Sequence, residues 1–286
     1  MDLRSLAYFV AVAEDLNVGR AAARLRMSQP PLSRAIKALE GDFGVELFTR
    51  TARGMTLTQA GHALLPEARE ILARVESLPS LVTQASGTRV ITIGTLADSL
   101  DHAGRAMIDT FRERYPGVEI RIVEGDLTDP TVGVGRGLAD VAVTRGPFNA
   151  AGIAVAEIRR DAVGVVLRES DPLAGRDRVR LSDLRDRRWF RLAGSTDPLW
   201  RDFWAGGREA VPGVDTIVRT VRECIQAVLW SDAVGLAPLT INRANGIVVV
   251  PVEGVAPSPL LVAWRRRERR SLVHGFVDIA AAVPAA

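Results

Sequence analysis

Two runs of apolar residues at helical spacing, separated by a polar turn, constrain the fold of this chain more than any other feature. Each run occupies positions i, i+3, i+4 and i+7, and the two sets are Val18, Ala21, Ala22 and Leu25, then Leu32, Ala35, Ile36 and Leu39. A preceding apolar set consists of Leu6, Phe9, Val10 and Ala13. Three short helices can share one small core, so this region predicts a helix-turn-helix unit.

The third predicted helix has a polar face opposite its apolar stripe. At about 100° per residue, that face carries Gln29, Pro30, Ser33, Arg34 and Lys37. Ser28 is placed to cap this helix, and Pro30 and Pro31 fit its first turn, where amides have no helical partner. Because most such faces are simply solvated, the segment that follows decides whether this one has a function.

That segment predicts a short β-hairpin with a basic tip. Residues 45–50 and 55–57 have strand character around a turn, which places Arg50 and Arg53 near the tip. A basic wing beside a polar helix suits a DNA duplex, because the helix enters the major groove while the wing reaches phosphate. We expect base contacts from Gln29, Ser33 and Arg34, close apolar contact from Pro30, and phosphate contacts from Lys37, Arg50 and Arg53.

The same region resembles the amino-terminal signature of LysR-type transcriptional regulators. The resemblance rests on many spaced positions, among them Arg20-Ala21-Ala22, Ser28-Gln29-Pro30, Leu32-Ser33-Arg34, Leu39-Glu40, Leu47-Phe48, Leu57-Thr58 and Ala60-Gly61. One departure lies at Asn17-Val18-Gly19, where the family usually has hydroxylic and aromatic residues. Asn17 can still cap the second helix.

Composition predicts a protein of more than one domain. The chain has 286 residues, of which 47% are hydrophobic, and its formal charge of +3 is too small to diagnose nucleic acid by itself. A single cysteine, Cys224, excludes an intramolecular disulfide and fits a reducing compartment; its helical setting favours a small buried residue over a redox sensor. Without an export signal or an apolar stretch of about 18 residues, we expect no membrane segment and a cytoplasmic location.

A heptad pattern follows the predicted wing. Its apolar positions alternate in steps of four and three: Leu64, Ala68, Ile71, Val75, Leu78, Val82 and Ala85. Such a helix can pack on its own domain, but a helix linking two domains has little core of its own, so we favour pairing with a second copy. Pro79 leaves open whether one helix runs to Ala85.

From Arg89 onward, short strands alternate with helices, which predicts an α/β fold around a mostly parallel sheet. Phe111-Arg112-Glu113-Arg114-Tyr115-Pro116-Gly117, Gly137-Leu138-Ala139-Asp140 and Asp171-Pro172-Leu173 resemble the effector-binding portion of the same family. The resemblance implies two α/β lobes, the second inserted into the first by two crossing strands, as in periplasmic solute-binding proteins. It also implies a homodimer through the linker helix and a homotetramer through the effector lobes.

The expected domains are a winged helix-turn-helix DNA-binding domain at 1–58, a linker and dimerisation helix at 59–87, and an effector-binding domain at 88–286. Within the last, the first lobe comprises 88–161 and 265–286, and the second lobe comprises 162–264.

Catalytic and metal signatures are missing from the sequence. The histidines are scattered, and Asp98 with His102 is more often an ion-paired or exposed arrangement than a metal site. We therefore expect no enzyme activity, no metal and no cofactor beyond a small-molecule effector. Two alternatives remain at this stage: an enzyme, or a small-ligand binding protein, with an appended DNA-binding domain.

The effector is expected between the two lobes, because ligands of open α/β sheets lie at the carboxyl ends of strands. That rule selects Thr95, Asp98, Ser99, Thr144, Arg145, Thr196, Asp197 and Thr220. The resemblance implies small organic acids as frequent effectors, and Arg145 suits an anion. Asp98 caps the following helix with Asp101 as its partner, or faces the cleft, in which case an amine or polyhydroxyl effector is favoured.

Overall fold

The structure is a computed structural model that describes residues 1–51, 54–85, 89–96, 102–194, 196–208, 216–241 and 245–282. The chain divides into two units, Met1–Leu81 and Val82–Ala286. The first unit contains α1 (Leu3–Asp15), α2 (Val18–Arg24), α3 (Gln29–Phe43), β1 (Phe48–Thr51), β2 (Gly54–Leu57) and most of α4 (Gln59–Ala85).

The first unit is a helix-turn-helix with a β-hairpin wing, as the apolar spacing predicts. Phe9, Leu32 and Leu39 are at most 1% exposed and form one core with the wing residue Phe48. The rings of Phe9 and Phe48 lie 5.4 Å apart, so the hairpin packs directly on the helices. Strands β1 and β2 pair antiparallel, with Phe48 opposite Leu57.

Helix caps in this unit follow the expected chemistry at two ends and depart from it at a third. Asn17 Oδ1 accepts from the Arg20 amide at 3.0 Å, and Thr58 Oγ1 accepts from the Gly61 amide at 3.0 Å. Ser28 occupies the N-cap of α3 but makes no capping hydrogen bond, so that expectation is wrong. A capping hydroxyl needs the second or third helical amide, and here both positions are proline, Pro30 and Pro31.

The long helix α4 is continuous over 27 residues, from Gln59 to Ala85. It passes through Pro66 and Pro79, each of which removes one backbone donor from the helical ladder. The question left open by Pro79 is thus answered in favour of one helix. No helix among the described residues is both long and apolar enough to cross a membrane.

The second unit alternates strands and helices. Its strands are β3 (Val90–Thr95), β4 (Glu119–Glu124), β5 (Val141–Arg145), β6 (Ile153–Asp161), β7 (Val163–Arg168), β8 (Val179–Arg180), β9 (Phe190–Leu192), β10 (Thr216–Val218), β11 (Gly235–Pro238), β12 (Ile247–Glu253) and β13 (Ser258–Arg265). Its helices are α5 (His102–Arg114), α6 (Pro198–Trp204), α7 (Val221–Ser231) and α8 (Ser271–Ala281), with a 3-10 turn at Leu181–Leu184.

One five-stranded sheet, in the order β4-β3-β5-β13-β6, forms the first lobe together with α5 and α8. Strand β3 runs parallel to β4 and β5, whereas β13 runs antiparallel to β5 and β6. Ile91, Ile93, Phe111 and Phe276 are fully buried between the sheet and the helices. The alternation of strands and helices that the sequence predicts is present in the described part of this lobe.

A four-stranded sheet, in the order β11-β7-β12-β8, forms the second lobe with the parallel pair β9 and β10 and helices α6 and α7. Strand β7 is antiparallel to both β11 and β12. The expectation of a mostly parallel sheet is therefore wrong for this lobe. The alternation of apolar residues identifies each strand, but it does not determine which strands pair or in which direction, because the partners are distant in sequence.

Strand β13 corrects the predicted boundary between the lobes. We expected residues 162–264 to form the second lobe, but β13 pairs Leu260 with Arg145 and Trp264 with Val141 in the sheet of the first. The first lobe therefore resumes at Ser258 rather than at 265. An apolar run such as Leu260–Trp264 fits an inner strand of either sheet, so its pattern could not choose between them.

Candidate functional sites

The outer face of α3 carries the residues expected to contact DNA. Leu32, Ile36 and Leu39 are at most 4% exposed and anchor the opposite face in the core. Four of the five predicted positions on the outer face are exposed and Ser33 is half-buried: Gln29, Pro30, Ser33, Arg34 and Lys37. We call these five residues the recognition face.

The cations of the recognition face are not committed to other parts of the protein. Within the described part of the chain, neither Arg34 nor Lys37 forms an ion pair, whereas Arg24 bonds to Asp15 at 2.9 Å and Arg69 to Glu14 at 3.1 Å. The nearby arginines outside the face thus hold helices together. Arg34 and Lys37 are left to attract an anionic partner.

Glu40 fixes the wing beside the recognition face. Its Oε1 accepts hydrogen bonds from the backbone amides of Leu47 at 2.9 Å and Phe48 at 3.2 Å, where the chain enters β1. The Met55 amide donates to the Leu16 carbonyl and ties β2 to the end of α1. The role of Glu40 could not be predicted from the sequence, since hydrogen bonds to backbone amides do not depend on the residue types that carry those amides. Arg53 and the side chain of Arg50 lie outside what the structure describes.

A cavity of about 70 Å³ lies between the two sheets of the second unit. The first lobe contributes Leu96, Leu127 and Arg145 to its wall, and the second lobe contributes mostly apolar and aromatic side chains, including Trp200, Trp204 and Ile225. The site therefore lies where the strand-end rule places a ligand.

Only some of the residues expected to bind an effector lie at the cavity. Arg145 lines the cavity. Thr95 and Thr144 are buried and donate to the carbonyl oxygens of Leu96 at 2.9 Å and Pro130 at 2.6 Å. Asp98 and Ser99 fall outside the described residues.

The remaining three expected residues belong to the second lobe. Asp197 and Thr220 cap helices α6 and α7, accepting from the amides of Trp200 at 3.0 Å and Glu223 at 3.1 Å. Thr196 is 2% exposed, and its hydroxyl finds no partner among the described residues. Asp197 and Thr220 therefore stabilise helices beside the cavity. Of the expected set, Arg145 alone is placed in the described wall.

Arg145 is held in a buried polar network. Its Nη1 donates to Asp161 Oδ2 at 2.7 Å and its Nη2 donates to Thr240 Oγ1 at 3.1 Å. Arg159 Nε donates to the other oxygen of Asp161 at 2.9 Å. Burial raises the pKa of Asp161, but the hydrogen bonds from Arg145 and Arg159 outweigh it and leave that pKa below its ordinary value. The charge of Arg145 is thus balanced within the protein.

The aromatic wall of the cavity escaped the sequence analysis. Trp200 and Trp204 lie four residues apart on α6, and their rings meet edge to face at 5.5 Å. Spacing of i and i+4 in a predicted helix was the available signal. Cys224, expected as a small buried residue, is half-buried and also lines the cavity.

In the described part of the chain, no group of three histidine, cysteine, aspartate or glutamate side chains is placed to hold a metal ion. Residues 133–137 form tight turns, with positive φ at Gly133 and Gly137, before the strand that begins at Val141.

Comparison with known proteins connects both units to one family. Residues 3–62 match the model of the bacterial regulatory helix-turn-helix protein, lysR family, and residues 84–285 match the LysR substrate binding domain. The chain is 30% identical over 290 residues to the Hca operon transcriptional activator HcaR of Escherichia coli K12, covering 98% of this chain and 97% of that protein. It is 31% identical over 292 residues to the regulator IlvR of Caulobacter vibrioides, with coverage of 98% and 97%.

Solved structures give the same result. Full-length CbnR in complex with its target DNA is 25% identical, with a TM-score of 0.51 and coverage of 98% of each chain. Full-length BenM is 27% identical, with a TM-score of 0.53 and coverage of 98% of this chain and 95% of that one. The likeness extends over both units of the chain.

A winged helix-turn-helix unit, a long helix and a two-sheet α/β unit with a cavity define a ligand-responsive DNA-binding regulator. The chain belongs to the LysR family of transcriptional regulators. It is therefore a DNA-binding transcriptional regulator with an effector-binding domain, and it is not an enzyme.

Proposed function

We propose that this regulator binds an inverted-repeat operator through the recognition face of α3 and that a small molecule in the inter-lobe cavity changes this binding. The observation that carries the proposal is that face itself, which is exposed opposite a buried stripe and presents Arg34 and Lys37 without ion pairs among the described residues. An α-helix with such a face fits the major groove of B-DNA.

Individual contacts follow from side-chain chemistry. Gln29 and Arg34 make bidentate hydrogen bonds to base edges, with Ser33 and Pro30 in contact beside them. Lys37, together with Arg50 and Arg53 of the wing, contacts phosphate. CbnR, a structural relative, has been crystallised with its target DNA, which supports a duplex as the partner.

Two copies pair through α4 in this proposal. Ile71, Val75, Leu78 and Val82 follow heptad spacing and are between 38% and 64% exposed, an unusual state for four aligned apolar side chains. A second copy of the helix would cover them, and two-fold symmetry would match the two halves of the operator. The resulting dimer pairs again through the effector domains to give a tetramer.

Domain roles follow in the same way. Residues 1–58 bind DNA, residues 59–87 connect and pair the subunits, and residues 88–286 bind the effector. The effector shifts the equilibrium between two arrangements of the lobes, so its effect on DNA binding is limited by its differential affinity for them. A regulator of this kind acts in the cytoplasm.

The decisive experiment measures binding of the full chain to the DNA upstream of its own gene by gel shift. Arg34→Ala and Gln29→Ala should each weaken operator binding about 5- to 100-fold, as expected for loss of a bidentate base contact. Arg112→Ala, at an exposed arginine of α5, is the matched control and should leave binding unchanged. Wild-type affinity in both recognition-face variants would refute the assignment.

A further inference from the structure

We propose that the effector is a small, uncharged, largely apolar molecule about the size of a six-membered ring, bearing one hydrogen-bond acceptor. This inference rests on the proposed function and specifies the chemical class that its cavity takes. Three properties of the cavity support this class of ligand: its apolar wall, the hydrogen bonds that its arginines already make, and the buried indole N–H of Trp204.

The wall of the cavity is mostly hydrocarbon. Leu96 and Leu127 face it from the first lobe, and Val166, Leu192 and Ile225 from the second. A ligand that enters is removed from water against this surface, so its apolar area favours binding and its unpaired polar groups oppose it.

Three arginines also line the cavity, and each already donates to oxygen atoms of the protein. Arg145 bonds to Asp161 and Thr240. Arg201 donates to Asp202 at 3.1 Å and to the Gly194 carbonyl at 3.2 Å. Arg191 donates to the carbonyl of Arg208.

This commitment disfavours an anionic ligand. A carboxylate placed beside Arg145 would also lie near the Asp161 carboxylate, and the repulsion between the two would offset the attraction of a cation that is already paired. The presence of Arg145 in the wall therefore does not by itself make the cavity a carboxylate site.

The indole N–H of Trp204 is a donor that a ligand in the cavity can use. Trp204 lines the cavity, and its Nε1–H is shielded from solvent without an acceptor among the described residues. Its neighbour Trp200, in contrast, donates to the Leu127 carbonyl at 3.2 Å. A buried indole N–H normally finds a partner, so an acceptor on the ligand would complete this one.

The size of the cavity limits the ligand. Its volume of about 70 Å³ corresponds to about five or six water-sized groups, since one such group occupies roughly 10 to 15 Å³ on this scale. A single ring with one short substituent matches this space.

The test compares three probes that share one ring: benzyl alcohol, toluene and benzoate. Dissociation constants are obtained for the full chain from the concentration dependence of its thermal unfolding. Trp204→Phe removes the N–H and keeps an aromatic ring, and Ile225→Trp fills the cavity. Trp230→Phe is the matched control, because Trp230 is 74% exposed and does not line the cavity.

Benzyl alcohol should bind the wild type at least tenfold more tightly than benzoate. Trp204→Phe should weaken benzyl alcohol about fivefold and toluene less than twofold, Ile225→Trp should abolish binding of every probe, and Trp230→Phe should change nothing. Tighter binding of benzoate, or no binding of any probe to the wild type, would overturn the proposal. Gel shifts on the same samples distinguish failure of the ligand class from failure of the proposed function. If the wild type binds operator DNA but prefers benzoate, the ligand class alone is rejected. If the wild type does not bind operator DNA, the proposed function is rejected.

Discussion

Arg145 and Asp161 form an ion pair that is almost completely removed from solvent, with Nη1 and Oδ2 2.7 Å apart and side chains 2% and 6% exposed. Arg145 ends β5, and Asp161 is the last residue of β6, immediately before the chain enters the second lobe. Thr240, which follows β11 of the second lobe, accepts from Arg145 and donates to Asp161 at 3.1 Å. One buried network therefore joins both lobes where the chain passes between them.

Asp161→Asn should strongly destabilise the protein. The substitution leaves Arg145 buried without its counter-charge, and breaking a buried pair in this way costs about 3 to 5 kcal/mol. Urea unfolding of the full chain measures the loss. Glu157→Gln, which breaks the exposed pair with Arg160, is the control and should cost less than about 1 kcal/mol. Equal effects from the two variants would contradict the role of the buried network.

Two glycines of the first unit should respond to alanine in opposite directions. A Cβ on Gly61 would lie 2.2 Å from the Leu47 carbonyl oxygen, so Gly61→Ala forces α4 away from the wing at a cost of about 1 to 3 kcal/mol. A Cβ on Gly41 meets nothing within 4 Å, so Gly41→Ala should stabilise α3 by about 0.5 to 1 kcal/mol. Relative to the wild type, the urea midpoint of unfolding should fall for Gly61→Ala and rise for Gly41→Ala. A shift of both midpoints in the same direction would contradict the packing difference between the two sites.

Lys37→Ala should flatten the salt dependence of operator binding. A lysine on phosphate releases about one counterion, so its loss should reduce the slope of log K against log salt by about one. Fluorescence anisotropy at several salt concentrations measures the slope. Arg112→Ala removes the same charge from the second unit and should leave the slope unchanged. An unchanged slope for Lys37→Ala would place this lysine away from phosphate.

Leu78→Arg should reduce the oligomeric state. Leu78 is 50% exposed in the middle of the heptad seam, and pairing of two α4 helices would bury an arginine there without a partner. Sedimentation velocity at micromolar concentration would then show a smaller species. Glu67→Arg introduces the same side chain at an exposed polar position of α4 and should preserve assembly. A Leu78→Arg variant that sediments like the wild type would exclude the seam as the interface.

Glu268 should make stability depend on pH in the acidic range. Burial raises its pKa, but hydrogen bonds from the Arg270 guanidinium and from the backbone amides of Arg269 and Arg270 outweigh it and lower the pKa from 4.5 to about 2. A carboxyl with a lowered pKa stabilises the fold above its unfolded pKa, and this contribution is lost as the pH falls from 4.5 towards 2.

The matched variant is Glu268→Gln, which resembles the protonated side chain. It should lose about 2 to 3 kcal/mol at pH 7, and its difference from the wild type should shrink as the pH falls from 5 to 3. Urea unfolding across this range measures both quantities. A difference that stays constant with pH would show that the charge of Glu268 does not carry the stabilisation.

The first unit could be predicted from sequence almost completely, because its determinants are local. Leu32, Ile36 and Leu39 lie within eight residues of one another and define both the buried and the recognition faces of α3. Even the missing cap at Ser28 was available in the sequence, since the two following prolines have no amide to donate. The hydrogen bonds that Glu40 accepts from the backbone amides of Leu47 and Phe48 could not be predicted, because they form only when the hairpin is in place.

The cavity could be predicted only in outline. The strand-end rule led to Arg145, but the wall also draws on residues as far apart in sequence as Leu96 and Ile247. These residues come together only because strands distant in sequence pair with each other, as β5 does with β13. The pattern of a short apolar run does not specify which strand it pairs with. The same limit explains why the boundary between the lobes was placed seven residues too late, at 265 instead of 258.

The return of the chain through β13 has a mechanical consequence. Asp161 and Ser258, at the two places where the chain passes between the lobes, are paired neighbours in one sheet. A body tethered by a single strand can swivel about that strand, but two adjacent tethers resist twisting and leave bending as the easy motion. We therefore expect the second lobe to open and close by bending about these two strands, and a ligand bound between the lobes would act on that one motion.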